Sequence, residues 1–345
     1  MLKSDARRTA AVAVAVVANV GGAVQTRLNG ELGARLHDGI AAPLTTTLIG
    51  MVLLFAFVPA LATGRRALGE VRAALKSGTL RWWHCLGGMS GALFVAGQGI
   101  SATTLGVAVF TVAVVAGTST GSLLVDRCGL GPSGHHPLTV ARVGGAVVCV
   151  AAVAVAGHDR LDARGLLLVV LPLLAGAAIA WQTAVNGRVG AVAGSPIAAT
   201  LINFVVAVLT LAVAFLVDVA LHGLPTGALP SEPWLYSAGV LGIGLIVVAA
   251  AVVPHTGVLV YGLASVSGQL LGAVGVDTVV GTGSRPATWM ALGLTFCAVA
   301  MVARARRQPT GRSNPARPRP NPSHQGSDTA SLGPPGRGPA PGSGA

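Results

Sequence analysis

The chain has 345 residues, 10% of them charged and 52% hydrophobic, with a mean hydropathy of +0.72. A soluble domain carries about 25% charged residues, so a water-covered surface of this size is excluded. The formal charge of +12 sits at the N-terminus, in a few loops and in the C-terminal tail, not in a patch suited to nucleic acid.

A helix that crosses a bilayer needs roughly 20 apolar residues, and ten such segments follow one another along the chain. The first covers 10–28. Lys3, Arg7 and Arg8 ahead of it give it the look of a secretory signal, but its end recurs in mid-chain, so a retained helix is expected. The next four cover 40–63, 83–103, 107–125 and 138–156. A charged loop holding His158, Asp159, Arg160, Asp162 and Arg164 then precedes five more, at 165–189, 195–219, 234–253, 258–276 and 287–303. From Arg304 to Ala345 Pro, Gly, Ser and Arg dominate. That stretch lacks the apolar surface to offset its ordering entropy. The expected organisation is an all-α integral membrane protein with units at 1–157, 158–303 and 304–345, the last a disordered cytoplasmic tail.

An internal repeat is visible. Gln25-Thr26-Arg27-Leu28-Asn29-Gly30 matches Gln182-Thr183-Ala184-Val185-Asn186-Gly187 at an offset of 157 residues. A second block matches at an offset of 151. It pairs Trp83 with Trp234, Gly88 with Gly239, Gly91 with Gly242, Gly117 with Gly268, Gly121 with Gly272 and Asp126 with Asp277. Generic Ala/Val/Gly similarity would not align Gln, Asn, Trp and Asp. Five helices per half is an odd number, so the second half enters the membrane from the opposite side, an inverted repeat. Lysine and arginine fit this arrangement: 18 of the 23 fall on the face shared by the two termini. That bias places both termini in the cytoplasm.

Each half opens with a helix end bearing Gln, then Asn and Gly: Gln25, Asn29, Gly33 and Gln182, Asn186, Gly190. The run Ser195-Pro196-Ile197-Ala198-Ala199 with Asn203-Phe204 follows in the second half. Trp83 with Gly87, Gly88 and Gly91 starts the third segment, and Gly268-Gln269, Asp277 and Gly281 mark the ninth. Over about 8–303 this pattern resembles the drug/metabolite transporter superfamily with its EamA-like fold of ten helices, and within it the YdcZ-type branch. The resemblance implies a transporter of the inner (plasma) membrane, in a branch with no settled substrate. Departures concern the symmetry of the site: Thr118 stands where the other half has Gln269, Ala207 answers Gly50, and Pro43 answers Thr200.

Polar side chains inside a bilayer are costly to leave facing lipid. For the serines and threonines, including Thr118, bonding to a neighbouring helix or back to the preceding turn competes with a solute role. Gln98, Asn203 and Gln269 are expected to line a central cavity, because an amide carries both donors and acceptors. Gln182 joins these as a candidate for solute contact, and Trp181 and Tyr261 supply either aromatic walls or packing. Gly87, Gly88, Gly91, Gly117, Gly121, Gly268 and Gly272 are expected to form close helix contacts that slide. No Asp or Glu lies in mid-segment, which disfavours proton/cation antiport through a buried carboxylate. Asp126 and Asp277 fall near segment ends and suit capping.

Cys85, Cys128, Cys149 and Cys297 show no metal or disulfide spacing. No hydrolase elbow, nucleotide-binding loop or zinc-protease motif occurs. The expected function is therefore secondary transport of a small neutral or zwitterionic solute by alternating access, without enzyme activity, cofactor or metal. The partners are the solute and the lipid bilayer, and the chain acts as a monomer or homodimer. The rival reading is a non-transporting scaffold or regulatory membrane subunit, which would co-purify with a stoichiometric partner.

Overall fold

The computed structural model describes residues 2–130, 140–156, 163–256 and 258–281, with scattered positions as far as 297. The loop at 157–162 and the tail lie outside the described residues, as does most of the tenth expected segment. Among the described residues the chain is helical, without a strand.

Ten helices are described: α1 Leu2–Leu36, α2 Ala41–Phe57, α3 Ala62–Lys76, α4 Gly87–Leu105, α5 Val107–Arg127, α6 Val140–Ala156, α7 Ala163–Ala193, α8 Pro196–His222, α9 Ala238–Thr256 and α10 Val258–Val280. Short 3-10 turns at Trp82–Leu86 and Pro233–Ser237 lead into α4 and α9. By length and composition, five described stretches suffice to cross a membrane: Thr9–Leu36, Trp82–Leu105, Val107–Val125, Leu168–Ala193 and Pro196–His222. The pair α2 and α3, bent by 105°, makes a sixth if counted as one span. Val143–Ala152, Pro233–Ala249 and Ala264–Val280 are shorter apolar helices.

Helix α3 occupies a stretch that hydropathy assigns to a loop. Arg65, Arg66, Glu70, Arg72 and Lys76 make it too polar for a span. Gly64, Ala67, Val71 and Ala74 nevertheless recur at helical spacing and form its buried face. That face packs on Val189, Ala193, Ala198 and Ala199 of α7 and α8. The chain bends by 105° between α2 and α3, and only one stripe of α3 is apolar.

Local chemistry sets the helix ends. Asp38 Oδ1 accepts from the Ile40 and Ala41 N–H groups at 2.7 and 2.9 Å, opening α2. Ser195 Oγ accepts from the Ala198 N–H at 3.5 Å, and Pro196 supplies the first turn of α8. Gly106, at φ +82°, turns the chain between α4 and α5. Asp277, at the end of α10, accepts from the Ala108 N–H at 3.0 Å. Its carboxylate thus sits at the positive end of α5. The side chain of Asp126 lies outside the described residues.

Packing crosses between the two halves. Helix α1 runs against α9 and α10, and α7 runs against α4 and α5. The contacts pair off by the two sequence offsets. Gly117 abuts the Leu173 carbonyl of α7, and Gly268 abuts the Val16 carbonyl of α1. Gly121 meets Ala177, and Gly272 meets Val20. Gly88 of α4 lies on the Asn203 carbonyl and Ala207 of α8, while Gly239 of α9 lies on the Thr46 carbonyl and Gly50 of α2. A side chain at any of these glycines would strike backbone. Small residues permit such contacts, and dispersion at close approach holds membrane helices together where lipid is as apolar as leucine. The largest apolar core follows this seam, with Val112, Ala113, Val115, Ala116, Leu270 and Ala273 buried in it.

Candidate functional site

Three groups of polar side chains sit within the bundle. The first joins α1, α2 and α4. Asn29 and Gln98 are both 0% exposed. Asn29 Nδ2 donates to Gln98 Oε1 at 2.7 Å, and Gln98 Nε2 donates to Thr26 Oγ1 at 2.9 Å. Thr46 Oγ1 donates to Asn29 Oδ1 at 2.9 Å. Gln98 thus spends donor and acceptor capacity inside the protein. Nearby on α1, Gln25 Nε2 donates to the Ala238 carbonyl of α9 at 3.0 Å.

The second group lies on α7 and α8 against α4. Asn186 Nδ2 donates to Asn203 Oδ1 at 2.9 Å. Gln182 is 7% exposed, and its Oε1 has no hydrogen-bond partner. The amides lie along a glycine face. A methyl group on Gly87 would collide with Asn186 Oδ1. One on Gly91 would stand 3.1 Å from Gln182 Oε1 and 3.6 Å from Asn203 Nδ2. Gly91 itself is half-buried. Trp181, next along α7, is half-buried too.

The third group joins α1 to α10. Asn19, 2% exposed, donates to the Ala15 carbonyl at 2.8 Å and to the Tyr261 hydroxyl at 3.5 Å. Its Oδ1 accepts from Ser265 Oγ at 2.6 Å and from Gln269 Nε2 at 3.4 Å. Gln269 Nε2 also reaches Ser265 Oγ at 3.2 Å. The counterparts of Asn19, Tyr261, Ser265 and Gln269 at the two offsets are Gly176, Phe110, Val114 and Thr118. That matching seam is apolar apart from Thr118, which donates to the Val114 and Gly176 carbonyls at 2.9 and 3.1 Å.

The seven candidate residues therefore divide. Asn203 and Gln182 come together, Tyr261 and Gln269 come together, and Gln98 and Thr118 each stand in separate neighbourhoods. Sequence reading passed over Asn19, Asn29, Asn186 and Gln25 as contributors. Their signal was present, since each is an amide inside a long apolar helix. At one exposed end of α1, Arg27, Glu31, Arg35 and Glu232 form a chain of ion pairs at 3.0, 3.0 and 2.6 Å. The Arg35 guanidinium holds the Glu232 carboxyl below the usual carboxylate range. Among the described residues no group of three or more His, Cys, Asp or Glu side chains is placed to hold a metal ion.

The model of one protein family, described as "Putative inner membrane exporter, YdcZ", matches residues 10–155 and 167–303. A comparison with curated proteins finds no match.

Proposed function

The chain belongs to the family described as "Putative inner membrane exporter, YdcZ", and from that premise we propose that it exports a small uncharged or zwitterionic solute by alternating access. The proposed frame is ten spans in two inverted halves of five, with both termini in the cytoplasm. The observation that carries this reading is the reciprocal packing of glycines: the partners of Gly88, Gly117 and Gly121 stand one repeat away from the partners of Gly239, Gly268 and Gly272. Two halves that exchange helices in this way produce two mixed bundles, one holding α1, α2, α9 and α10, the other α4, α5, α7 and α8. Rocking one bundle against the other opens first one membrane face and then the other.

The amides near mid-span fit a solute path. Each end of an amide must find a partner in a low-dielectric interior, and a passing solute supplies one without the desolvation cost of a full charge. Gln98, bonded between α1 and α4, spans the two bundles and serves as a latch in this conformation. The scaffold reading has no comparable support, since it gives no reason for a buried amide to lack a partner. Purified protein in liposomes loaded with a metabolite extract tests the proposal by counterflow. Exchange of at least one solute above protein-free liposomes is expected, and its complete absence would overturn the transport reading.

A further inference from the structure

Helix α3 is a feature of the first half alone. At the repeat offset of 157 residues, Pro59 to Arg65 correspond to Leu216 to His222, which continue α8 without a break. In the first half Pro59 stands just past the end of α2, and the chain bends by 105°. Arg65 Nη1 holds the bend by donating to the Pro59 and Ala60 carbonyls at 2.8 and 3.1 Å. The two connections also differ in charge. Residues 58–81 carry Arg65, Arg66, Arg72, Lys76 and Arg81 against Glu70 alone, whereas residues 223–232 hold no lysine or arginine. The charges on α3 are sorted around its axis. Arg65, Arg72 and Lys76, seven and four residues apart, share one exposed stripe. The exposed Leu61 and Leu75 border it on one side, together with the half-buried Leu68. Arg66 and Glu70 fall on its other side. Among the described residues no carboxylate pairs with Arg72 or Lys76. Phe57, where α2 ends, and Trp82, where the chain enters α4, are exposed.

We propose that α3 is an interfacial helix whose stripe of Arg65, Arg72 and Lys76 binds the headgroups of anionic phospholipid. The proposal rests on the membrane location of the chain and not on the transport reading. With α2 upright in the bilayer, an axis turned by 105° lies close to the membrane plane. Aromatic rings gather at the level where lipid meets water, so the exposed Phe57 and Trp82 set the depth at which α3 leaves α2 and rejoins α4. At that depth Leu61 and Leu75 reach the acyl boundary, and the basic stripe beside them meets the phosphates. Guanidinium and ammonium groups form strong, charge-assisted hydrogen bonds to phosphate oxygens. A zwitterionic lipid brings its own ammonium to the same place, so net negative headgroups are preferred. An acidic protein segment would satisfy the cations but leave Leu61, Leu75 and Trp82 in water. The buried stripe of Gly64, Ala67, Val71 and Ala74 stays on α7 and α8 throughout, so lipid is bound without displacing any protein contact.

The test adds short-chain phosphatidylglycerol or phosphatidylcholine to the detergent-solubilised full-length protein and reads the melting temperature. Arg72→Gln/Lys76→Gln removes charge from the stripe and leaves the Arg65 bonds at the bend intact. Arg66→Gln, on the other side of the stripe, is the control. Phosphatidylglycerol is expected to stabilise the parent and Arg66→Gln, and phosphatidylcholine neither. The double variant is expected to melt like the parent without lipid, and to need at least about tenfold more phosphatidylglycerol for the same shift. Should the double variant fail to fold, Lys76→Gln alone decides, by a smaller change in the same direction. An equal response to the two lipids overturns the proposal, as does an undiminished response to phosphatidylglycerol in the folded stripe variant. A loss in Arg66→Gln as large as in the double variant overturns the stripe as the binding face. Inorganic phosphate that stabilises the parent as well as phosphatidylglycerol does would identify a free anion as the ligand and overturn the lipid assignment.

Discussion

Asn29 and Asn186 occupy matching places in two copies of one motif, yet their surroundings differ in one decisive respect. Around Asn29 a glutamine from a neighbouring helix, Gln98, closes the polar circuit. Around Asn186 the corresponding position is Ala249, and an amide oxygen one helical turn away on Gln182 is left unpartnered. The same backbone plan therefore gives one region that is sealed and one with unspent hydrogen-bonding capacity. A duplicated membrane protein can thus keep the amides of a motif in both copies and change the partner that closes them.

The comparison breaks most severely at the glycines that hold the two regions in register. Gly88→Val and Gly239→Val each push a side chain into backbone of the facing helix, and overpacking of this kind costs about 1–3 kcal/mol or more. Both variants should lose most of their monodisperse yield on size-exclusion chromatography. Tolerance of one and not the other would show that the two contacts are not equivalent. Next in size, Gln98→Ala leaves the buried Asn29 Nδ2 without its acceptor and takes one donor from Thr26 Oγ1. A loss of about 1–3 kcal/mol is expected from the unmet polar groups, read as a lowered denaturation midpoint. Gln182→Leu should cost almost nothing or stabilise slightly, since it removes an unpartnered atom. A large loss there would mean that Gln182 is as structural as Gln98.

A smaller effect is expected at the seam of α1 and α10. Ser265→Ala removes the 2.6 Å bond to Asn19. Interhelical bonds of this type contribute about 0.6 kcal/mol on average in membranes, and the loss should fall near that value in an unfolding titration. Smallest is the exposed Arg35–Glu232 pair. Its folded-state carboxyl titrates below the usual range, so its contribution is present above the unfolded-state value and disappears as the pH falls through the lowered one. Solvent screening keeps it slight. Melting profiles of the parent and Glu232→Gln should converge on acidification below about pH 4.5, the ordinary carboxyl value.

Much of this was legible in the sequence, for reasons that differ by residue. Gln25 and Gln182, Trp83 and Trp234, and the paired glycines stood out because bulky polar residues and Gly do not recur by chance in Ala/Val-rich helices. The long spans followed from hydropathy alone. Helix α3 did not, because a search for long apolar windows misses a helix with one narrow apolar stripe. Nor did the division of the amides. Gln98, Asn203 and Gln269 look alike as single amides in apolar runs, and only packing decides which of them meets another protein group. One clue to Gln98 was available: it has no amide counterpart at the repeat offset. Asn19 was equally visible as an amide between apolar neighbours, but its role depends on Ser265 and Gln269, which approach it from the far end of the chain.

The most direct measurement is the sidedness of position 160, between the two halves, against position 3. Single cysteines are placed at each in a chain whose four native cysteines are changed to serine, and intact cells are treated with a membrane-impermeant maleimide. Five crossings in the first half predict labelling at position 160 from outside and at position 3 only after permeabilisation. Labelling of both from the same side would mean an even number of crossings, and the inverted arrangement would be wrong.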